Sequence, residues 1–536
     1  MRARPRPAAP APHRDRACRD HPSAQTIPGR RPLSATPSRA PPSPIQSMSS
    51  LVPAHQHPLL YAIFVRVWLH ELSRAAKARV TLASVPDAAL DRLAALGVDY
   101  VHLMGVWTLG EEGRRRSLTD PDLRAEYDRV LPDWTEADVA GSPFAVARYE
   151  VNPAFGGDAG LADLRRRLAA RGIGIILDFV PNHVARDHHW VAEKPELFIA
   201  GDDGAPLSGR DPYIPPWPDT AQLDYRLAAT RAASVEALRG VASRCDGVRC
   251  DMAMLVLDDV FRRTWSKRPP TERKAEATGE FWAEAIDAVR RDHPSFVFIA
   301  EAFWDLEWRL QMLGFDYTFD KSLYDRLSHA SASSVRGHLA ATPDYQRRSV
   351  RFIEHHDEPR IAAVLPPDRR RAAEFIAATV PGMRFIHHGQ LEGRTVRASL
   401  HLARAPEEPV DQACLAFHER LLAAVRRPIL RTGSFATLTA RGPGADAFVA
   451  YRWEPLPACG APRSAAPLVA VINFAPSRSG CRIPLDIAGI AGRKVLLADL
   501  MTGNEHPRDG DELVDLSRGL GVELPAYGIH LFEIRR

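Results

Sequence analysis

Eight short apolar runs between residue 61 and about residue 390 each lead into a stretch with helical periodicity. The strand candidates begin at residues 61, 98, 172, 245, 296, 315, 350 and 383. Two of the helical stretches, DAALDRLAALG from 87 and LADLRRRLAARG from 161, end in glycine, which is typical of a helix C-terminus. Eight strands, each followed by a helical region, predict a (β/α)8 TIM barrel of about 330 residues. A doubly wound sheet is the alternative, but the chain has no phosphate-cradling glycine loop.

After residue 430 the pattern changes to short strands separated by turn residues. The segments are SFATLTA, AFVAYRW, PLVAVINFA, RKVLLADL and IHLFEIRR. They predict an all-β C-terminal antiparallel sandwich of about 100 residues. We therefore expect a catalytic barrel over 51–428, with a short insert after strand 3 at about 184–228, and a sandwich over 429–536.

The first 50 residues differ from the rest, with eleven of the 45 prolines and no hydrophobic period. This composition predicts a disordered N-terminal extension. An Arg-rich organellar targeting segment is an alternative, although so many prolines disfavour the amphipathic helix it needs. A second alternative is that translation begins at Met48.

Charge and cysteine usage exclude several classes of partner. Residues 1–47 hold nine Arg, no Lys and two Asp, so the total of +4 leaves −3 for the remainder, which predicts no nucleic-acid partner. No run reaches the roughly 18 to 20 apolar residues of a membrane span, and no secretory signal is recognisable. The six cysteines are scattered without a CxxC pair, which favours a reduced, cytoplasmic setting.

Four acidic residues each end an apolar run. Asp178, Asp251, Glu301 and Asp357 follow the third, fourth, fifth and seventh predicted strands. An isolated carboxylate at a strand end is usually a cap for the next helix. In a closed parallel barrel, however, all C-terminal strand ends open on one face, so four in order predict a shared pocket.

The neighbours of these carboxylates suit acid and base chemistry. Arg249 lies two residues before Asp251, on the same face of the strand, where it would keep that carboxylate ionised. Glu301 has the most apolar surroundings, which suits a general acid because burial favours a neutral carboxyl. His183 and His356 offer imidazole donors for sugar hydroxyls. Paired carboxylates of this kind cleave glycosidic bonds, one attacking the anomeric carbon and one protonating the leaving oxygen.

The segments ILDFVPNH, DGVRCD, IAEAF and FIEHHD resemble, in order and spacing, the four signature regions of the α-amylase family, glycoside hydrolase family 13. The resemblance covers residues 60 to 530 and implies retaining chemistry on α-linked glucose units. It implies that Asp251 is the nucleophile, Glu301 the acid/base and Asp357 the stabiliser of the transition state. The substrate-binding residues that it implies are Asp178, His183, Arg249, His356 and Phe144, the last in place of a stacking Tyr.

Some positions depart from the family pattern. His355 stands where Asn is usual, and Met254-Leu255 replaces a Lys-His pair. Asn182 matches one calcium ligand, but no others can be assigned, so we expect no metal and no other cofactor. The adjacent His355 and His356 would point to opposite sides of a strand, which argues against zinc.

These features predict a retaining glycosidase that acts on α-linked glucans or α-glucosides inside the cell. A transglycosylase with the same residues is the alternative within that class. A non-catalytic carbohydrate-binding protein is the alternative from another class, and the intact carboxylates argue against it. A metal-dependent hydrolase on the same barrel would need coplanar histidines at strand ends. The oligomeric state is not predicted. Candidate sugar-stacking residues are Trp190, Trp217, Trp304 and Trp308, with Trp217 the best placed.

Overall fold

Eight parallel strands form a closed barrel in the computed structural model, which describes residues 56–268, 276–456 and 466–536. The predicted N-terminal extension, residues 1–50, lies outside the described residues. The strands are β1 Leu59–Phe64, β2 Tyr100–Met104, β3 Gly174–Phe179, β4 Gly247–Cys250, β5 Val297–Ala300, β6 Tyr317–Phe319, β7 Ser349–Arg351 and β8 Met383–His387. Each pairs with its neighbours in sequence, and β8 pairs with β1, which confirms the predicted (β/α)8 barrel.

The barrel strands read as continuous apolar runs because both of their faces are covered. Every strand residue except Tyr100 and Gly174 is buried. Two of the predicted runs are longer than the strands they contain. The run from residue 61 turns directly into a helix at Val65, and the run from 350 leaves the sheet after Arg351.

The helices follow the predicted alternation. Their bounds are Val65–Ala76, Asp87–Leu96, Glu111–Thr119, Pro121–Val130, Gly157–Ala169, His189–Glu193, Ala228–Ala242, Asp258–Thr264, Phe281–Asp292, Glu307–Met312, Lys321–His329, Ala332–Leu339, Pro343–Arg347, Ile361–Val364, Pro367–Thr379, Gln412–Val425, Pro428–Thr432 and Gly510–Val514. Gly97 ends the second helix with a φ of +79°, the left-handed conformation that favours glycine. Within the three described ranges, no helix has the length and apolar character needed to cross a bilayer.

Two long loops at the C-terminal ends of the strands carry hairpins that shape the mouth of the barrel. After β2, Trp107–Leu109 pairs antiparallel with Val146–Val151, and Phe144 lies just before that second segment. After β3, His183–Ala185 pairs with Thr220–Gln222. Both hairpins therefore place residues of the predicted site above the barrel.

In the described residues 434–456 and 466–536 of the C-terminal region, the regular structure is β apart from the short helix Gly510–Val514 and the 3-10 turn Ala445–Ala447. Its strands are β9 Ser434–Thr437, β10 Phe448–Glu454, β11 Leu468–Asn473, β12 Ser479–Ile483, β13 Lys494–Asp499, β14 Glu505–Asp509, β15 Leu520–Leu524 and β16 Ile529–Arg535. Six form an antiparallel sheet in the order β9-β10-β11-β16-β13-β14, while β12 pairs with β15. Side chains of both sheets share one apolar core, as the predicted sandwich requires.

The opposite face of the six-stranded sheet packs on the barrel. The indole of Trp453 in β10 is fully buried and donates a hydrogen bond of 2.9 Å to the carbonyl of Thr379, the last residue of a barrel helix. The hydroxyl of Tyr451 lies 2.5 Å from Thr379 Oγ1. Apolar residues of that helix and of β10 and β11 belong to one buried cluster, so the barrel and the sheet share a core.

Because of this shared core, we expect Trp453→Ala to lower the free energy of unfolding by about 3–5 kcal/mol in a single transition. Calorimetry and urea unfolding measure this, with Leu516→Ala, at a side chain 66% exposed, as the control. Two separate transitions, of which only one shifts, would show that the sheet unfolds independently of the barrel.

Candidate active site

The four predicted carboxylates lie at the C-terminal end of the barrel. Asp178 is in β3, Asp251 and Glu301 directly follow β4 and β5, and Asp357 lies in the loop after β7. Asp178, Asp251 and Glu301 are buried, whereas the side chain of Asp357 is 48% exposed. The site therefore has a buried floor and one carboxylate at its mouth.

One guanidinium joins the three buried carboxylates. Arg249 is itself 1% exposed; its Nη1 donates to Asp251 Oδ1 at 2.7 Å and its Nη2 donates to Glu301 Oε2 at 2.7 Å. Nη1 also lies 3.4 Å from Asp178 Oδ1. Burial lowers the pKa of Arg249, but these carboxylates outweigh it and raise the pKa above its ordinary value. The predicted pairing of Arg249 with Asp251 is thus present, and Arg249 holds Glu301 as well.

Groups of the protein surround the Asp178 carboxylate and form hydrogen bonds with it. Its carboxylate contacts His102 Nε2 at 2.9 Å and accepts a hydrogen bond from the Gly105 backbone at 3.2 Å, in addition to Arg249. Burial opposes ionisation of Asp178, but His102 and Arg249 lower its pKa. We interpret Asp178 as a residue that positions Arg249. The sequence analysis missed His102, whose only signal is a polar residue inside the apolar run VDYVHLM.

The electrostatics of Asp251 differ from the expectation. Burial raises the pKa of Asp251 to about 7, and the charges of Glu301 and Asp178 add to the effect, while Arg249 opposes it. The sequence shows the neighbouring Arg249, which lowers the pKa of Asp251, but it does not show the burial that raises it. Because the side chain is also buried, the ion pair with Arg249 does not hold the pKa of Asp251 at the ordinary value of an aspartate.

Glu301 is held by the turn that follows Asp251. Glu301 Oε2 accepts hydrogen bonds from Arg249 and, at 2.8 Å, from the backbone N–H of Met252. Met252 has a φ of +41°, and Trp304 and Asp305, shortly after Glu301, have φ values of +64° and +60°. These are three of the five non-glycine residues with positive φ among the residues described. Strained backbone of this kind collects at functional sites.

His356, Asp357 and Phe144 form the upper part of the site. His356 Nε2 lies 3.1 Å from Asp357 Oδ2. Desolvation opposes this ion pair, but the two charges outweigh it, so the pKa of His356 is raised and that of Asp357 is lowered. The Phe144 ring packs 5.3 Å from the His356 ring and 5.0 Å from the Arg249 guanidinium. The structure thus brings Phe144, predicted as the stacking residue, against two other predicted site residues.

His183 is buried beside the same loop. Its pKa is lowered by burial to about 4, so the ring is neutral at pH 7, and it bonds to the backbone of Phe144. Trp217 packs 5.1 Å from the His183 ring. Trp304 contacts the exposed Tyr213 at 5.1 Å, while Trp190 packs against His188 and His189. The sugar-stacking role of these tryptophans stays a prediction.

The residues around Asn182 do not fit calcium. Asn182 Oδ1 accepts a hydrogen bond of 3.0 Å from Gln222 Nε2, and Asn182 Nδ2 lies 3.3 Å from both Gln222 Oε1 and His183 Nδ1. Amide and imidazole groups are neutral, whereas calcium sites in proteins rely on carboxylates.

The sequence argument about His355 and His356 was wrong in its geometry. The two residues lie beyond the end of β7, in a turn, so the alternation of a strand does not apply. Ligand atoms of both histidines and of Asp357 lie within 4.8 Å of one another. His355 is 1% exposed, packs 5.0 Å from the Phe352 ring, and its Nδ1 accepts the Asp357 N–H at 3.3 Å. We interpret His355 as a support for the loop that carries Asp357.

A closed (β/α)8 barrel with arginine-bridged carboxylates at its strand ends, followed by a β-sandwich, is the arrangement that the sequence predicts. Residues 145–222 match the family model described as "Alpha amylase, catalytic domain". Over that segment the chain is similar to α-amylase catalytic domains, and its barrel with a C-terminal β domain has the fold of solved α-amylases.

Two solved structures share the fold over most of the chain. A noncanonic maltogenic alpha-amylase, AmyB from Thermotoga neapolitana, has a TM-score of 0.63 at 19% identity, covering 90% of this chain and 99% of that chain. An alpha-amylase from Lactobacillus plantarum also has a TM-score of 0.63, at 21% identity, covering 89% and 98%. At these identities the likeness concerns the fold.

Curated relatives match a shorter part. An alpha-1,4-glucan:maltose-1-phosphate maltosyltransferase from Burkholderia pseudomallei is 28% identical over 243 residues, which is 43% of this chain and 18% of the relative. Alpha-amylase 3 from Dictyoglomus thermophilum is 21% identical over 277 residues, 45% of this chain and 52% of the relative. The chain therefore spans about half or less of the length of these relatives.

Removal of the bridging cation tests the electrostatics. We expect Arg249→Met to lower the free energy of unfolding by about 3–5 kcal/mol at pH 8, because it removes the cation that the buried carboxylates of Asp251 and Glu301 share. Folding then raises the carboxyl pKa values above their unfolded values, so the loss grows as pH rises and is smaller at pH 5. Urea unfolding at both pH values measures this.

Arg148→Met is the matched control, because that side chain is 57% exposed and pairs with Glu150 on the surface. An Arg249→Met variant as stable as the wild type at both pH values would contradict the bridging role.

Proposed function

We propose that the chain is a retaining glycosidase of the α-amylase type that acts on α-linked glucans or α-glucosides. The observation that carries the proposal is the Arg249 bridge, which holds Asp251 and Glu301 on two nitrogens of one guanidinium. Retaining enzymes hold their two carboxyl groups about 5–5.5 Å apart. Inverting enzymes hold them farther apart, which leaves room for the attacking water.

In the proposed reaction, Asp251 attacks the anomeric carbon while Glu301 donates its proton to the departing glycosidic oxygen. The bond between the anomeric carbon and that oxygen breaks as the bond to Asp251 forms. Glu301 then takes a proton from water while the water oxygen attacks the anomeric carbon. The bond between that carbon and Asp251 breaks, which frees the sugar and restores the Asp251 carboxylate. Asp357, exposed at the mouth beside His356, binds hydroxyls of the distorted sugar.

Transfer to a second sugar is the alternative second step, with a sugar hydroxyl in the place of water. The maltosyltransferase relatives support this option. So does an aromatic surface on the Glu301 side of the site, where Tyr213, 65% exposed, packs edge-on against Trp304. Such rings stack on the apolar faces of sugars and would favour an acceptor over water.

A non-catalytic carbohydrate-binding protein is the second candidate class. A binding protein would need the fold and the surface at Phe144. It would not need an Asp251 whose pKa is raised by burial and by the neighbouring Glu301. Perturbed carboxylates in a cleft are typical of catalysis, which supports the enzyme.

We propose a cytoplasmic setting, a carbohydrate substrate, and no nucleic-acid or membrane partner. Four of the cysteines, Cys245, Cys250, Cys414 and Cys481, are free thiols buried in the protein, which supports a reducing compartment.

The first test of this function is incubation with maltooligosaccharides, maltose, trehalose, sucrose and maltose 1-phosphate, with products followed by mass spectrometry. We expect shorter sugars, and longer ones as well if transfer competes. Asp251→Asn and Glu301→Gln should each lower the rate by about 10³-fold or more. Asp446→Asn, at a fully exposed carboxylate, is the control. Wild type and Asp251→Asn that are equally inert, yet gain thermal stability with sugar, would favour the binding protein.

The pKa of Asp251 sets the pH dependence. Only the ionised carboxylate can attack, and burial raises its pKa to about 7, so kcat/KM should fall about tenfold per pH unit below pH 7. A profile that is flat from pH 7 down to pH 5 would show that Asp251 keeps the ordinary pKa of an aspartate.

A further inference from the structure

Two histidines and one carboxylate meet in the loop after β7. His356 Nε2 lies 3.1 Å from Asp357 Oδ2, and His355 Nδ1 lies 3.7 Å from the same oxygen. One ligand atom of each residue lies within 4.8 Å of the other two, and within the three described ranges no second trio of His, Cys, Asp or Glu is gathered in this way. Imidazole nitrogens with one carboxylate oxygen are a ligand set that suits a divalent transition metal such as Zn²⁺.

Hydrogen bonds leave the nitrogens of this trio largely unused. His355 and His356 are 1% and 7% exposed, yet Nε2 of each has no hydrogen-bond partner among the described residues. The contact between His356 and Asp357 is therefore close without being aligned as a hydrogen bond. His355 Nδ1 accepts a long hydrogen bond of 3.3 Å from the Asp357 N–H, so this nitrogen carries the lone pair that a metal ligand needs. Buried polar atoms without partners are costly, and an ion held by the trio would supply one for His356.

Both imidazole rings are held in place by aromatic neighbours. The Phe352 ring packs 5.0 Å from the His355 ring, and the Phe144 ring packs 5.3 Å from the His356 ring. The outer nitrogen of His355, Nε2, lies 4.0 Å from Glu358 Oε1. A carboxylate near the outer nitrogen is what orients a ligating histidine in metal sites. Rings that are already fixed lose little freedom when they bind an ion.

The charges around the trio favour a cation. Three buried carboxylates share the single guanidinium of Arg249, and Asp357 adds a fourth carboxylate at the same end of the barrel. Arg397 also contacts Asp357, through the backbone carbonyl at 2.8 Å, but its own charge has Glu126 as a neighbour at 3.8 Å. Carboxylates therefore outnumber unpaired cations where the ion would bind.

We propose that His355, His356 and Asp357 form a binding site for a divalent transition metal, with Zn²⁺ as the probe, and that the bound metal inhibits the enzyme reversibly. Three protein ligands leave at least one coordination position open. The metal would engage Asp357 and His356, the groups proposed to bind sugar hydroxyls, so metal and substrate compete. Metal binding stands on the geometry of the trio, whereas inhibition rests on the glycosidase function proposed above.

The family pattern has Asn at position 355, so this ligand set depends on a residue in which the chain departs from it. Calcium and magnesium are excluded as occupants by the ligand atoms, because both ions take oxygen ligands and two of the three atoms here are nitrogen.

The test is uptake of Zn²⁺ by the full chain, stripped with EDTA, in equilibrium dialysis with the metal measured by mass spectrometry. The wild type should bind one Zn²⁺ per chain more than His355→Asn, because loss of a ligand should weaken binding by about 100-fold or more. Asp357→Asn, at a half-exposed carboxylate, should lose the same ion and serves if His355→Asn does not fold. Calcium uptake should be equal in all three chains.

His189→Asn is the matched control, because His189 is exposed, stacks 4.4 Å from His188 and lies outside the trio. It should bind as much Zn²⁺ as the wild type. Equal uptake by the wild type and by both trio variants, each shown to be folded by its melting temperature, would overturn the proposed site. Loss of the ion in His189→Asn with no loss in the trio variants would place the metal on the surface and overturn it as well.

The rate of sugar cleavage gives a second readout. Zn²⁺ should raise the KM of the wild type for maltooligosaccharides with little change in kcat, and EDTA should restore the original KM. Inhibition that lowers kcat at saturating substrate and leaves KM unchanged would overturn the competition. A chain that takes up Zn²⁺ at the trio but cleaves no sugar would overturn the glycosidase function and leave the metal site standing.

Discussion

The buried guanidinium of Arg249 is the interaction on which the active end of this barrel depends. Three carboxylates in an apolar interior would repel one another and lose their hydration. Arg249 offsets this cost for Asp251, Glu301 and Asp178 from the centre of the group. Its position depends on Gly247, two residues earlier on the same strand face, where a Cβ would meet the Val297 carbonyl at 2.5 Å. Because position 247 has no side chain, strands β4 and β5 pack closely beneath the guanidinium of Arg249.

The features that were predicted correctly depend on residues close together in the chain. The eight strands, the carboxylates at their ends and the Arg249–Asp251 pair all follow from period and spacing along the chain. Three strands of the sandwich, β12, β14 and β15, were missed because they hold few apolar residues: EHPRD is almost wholly polar, and glycine interrupts the pattern in SGCRI and LGVEL. Exposed edge strands need few apolar residues, so their sequences lack the alternation of apolar and polar residues that predicts a strand.

The properties that could not be predicted depend on groups far apart in the chain. His102 meets Asp178 across 76 residues, and no pattern within β2 indicates it. The pKa of Asp251 results from burial in the finished barrel competing with Arg249, and a sequence shows only the second effect. The loop at His355 was mistaken for a strand because Phe352 and Ile353 extend the apolar run by two residues beyond Arg351, where the strand ends.

The left-handed residues beside Asp251 and Glu301 affect how this chain tolerates substitution. Glycine at Met252, Trp304 or Asp305 would relieve roughly 1 kcal/mol of backbone strain each. The same exchange at Met252 would free the peptide whose N–H holds Glu301, and at Trp304 it would remove the ring that packs against Tyr213. At these three positions, lower backbone strain and a well-held Glu301 cannot be had together. Selection of variants of this chain for a higher melting temperature would therefore act against the proposed chemistry.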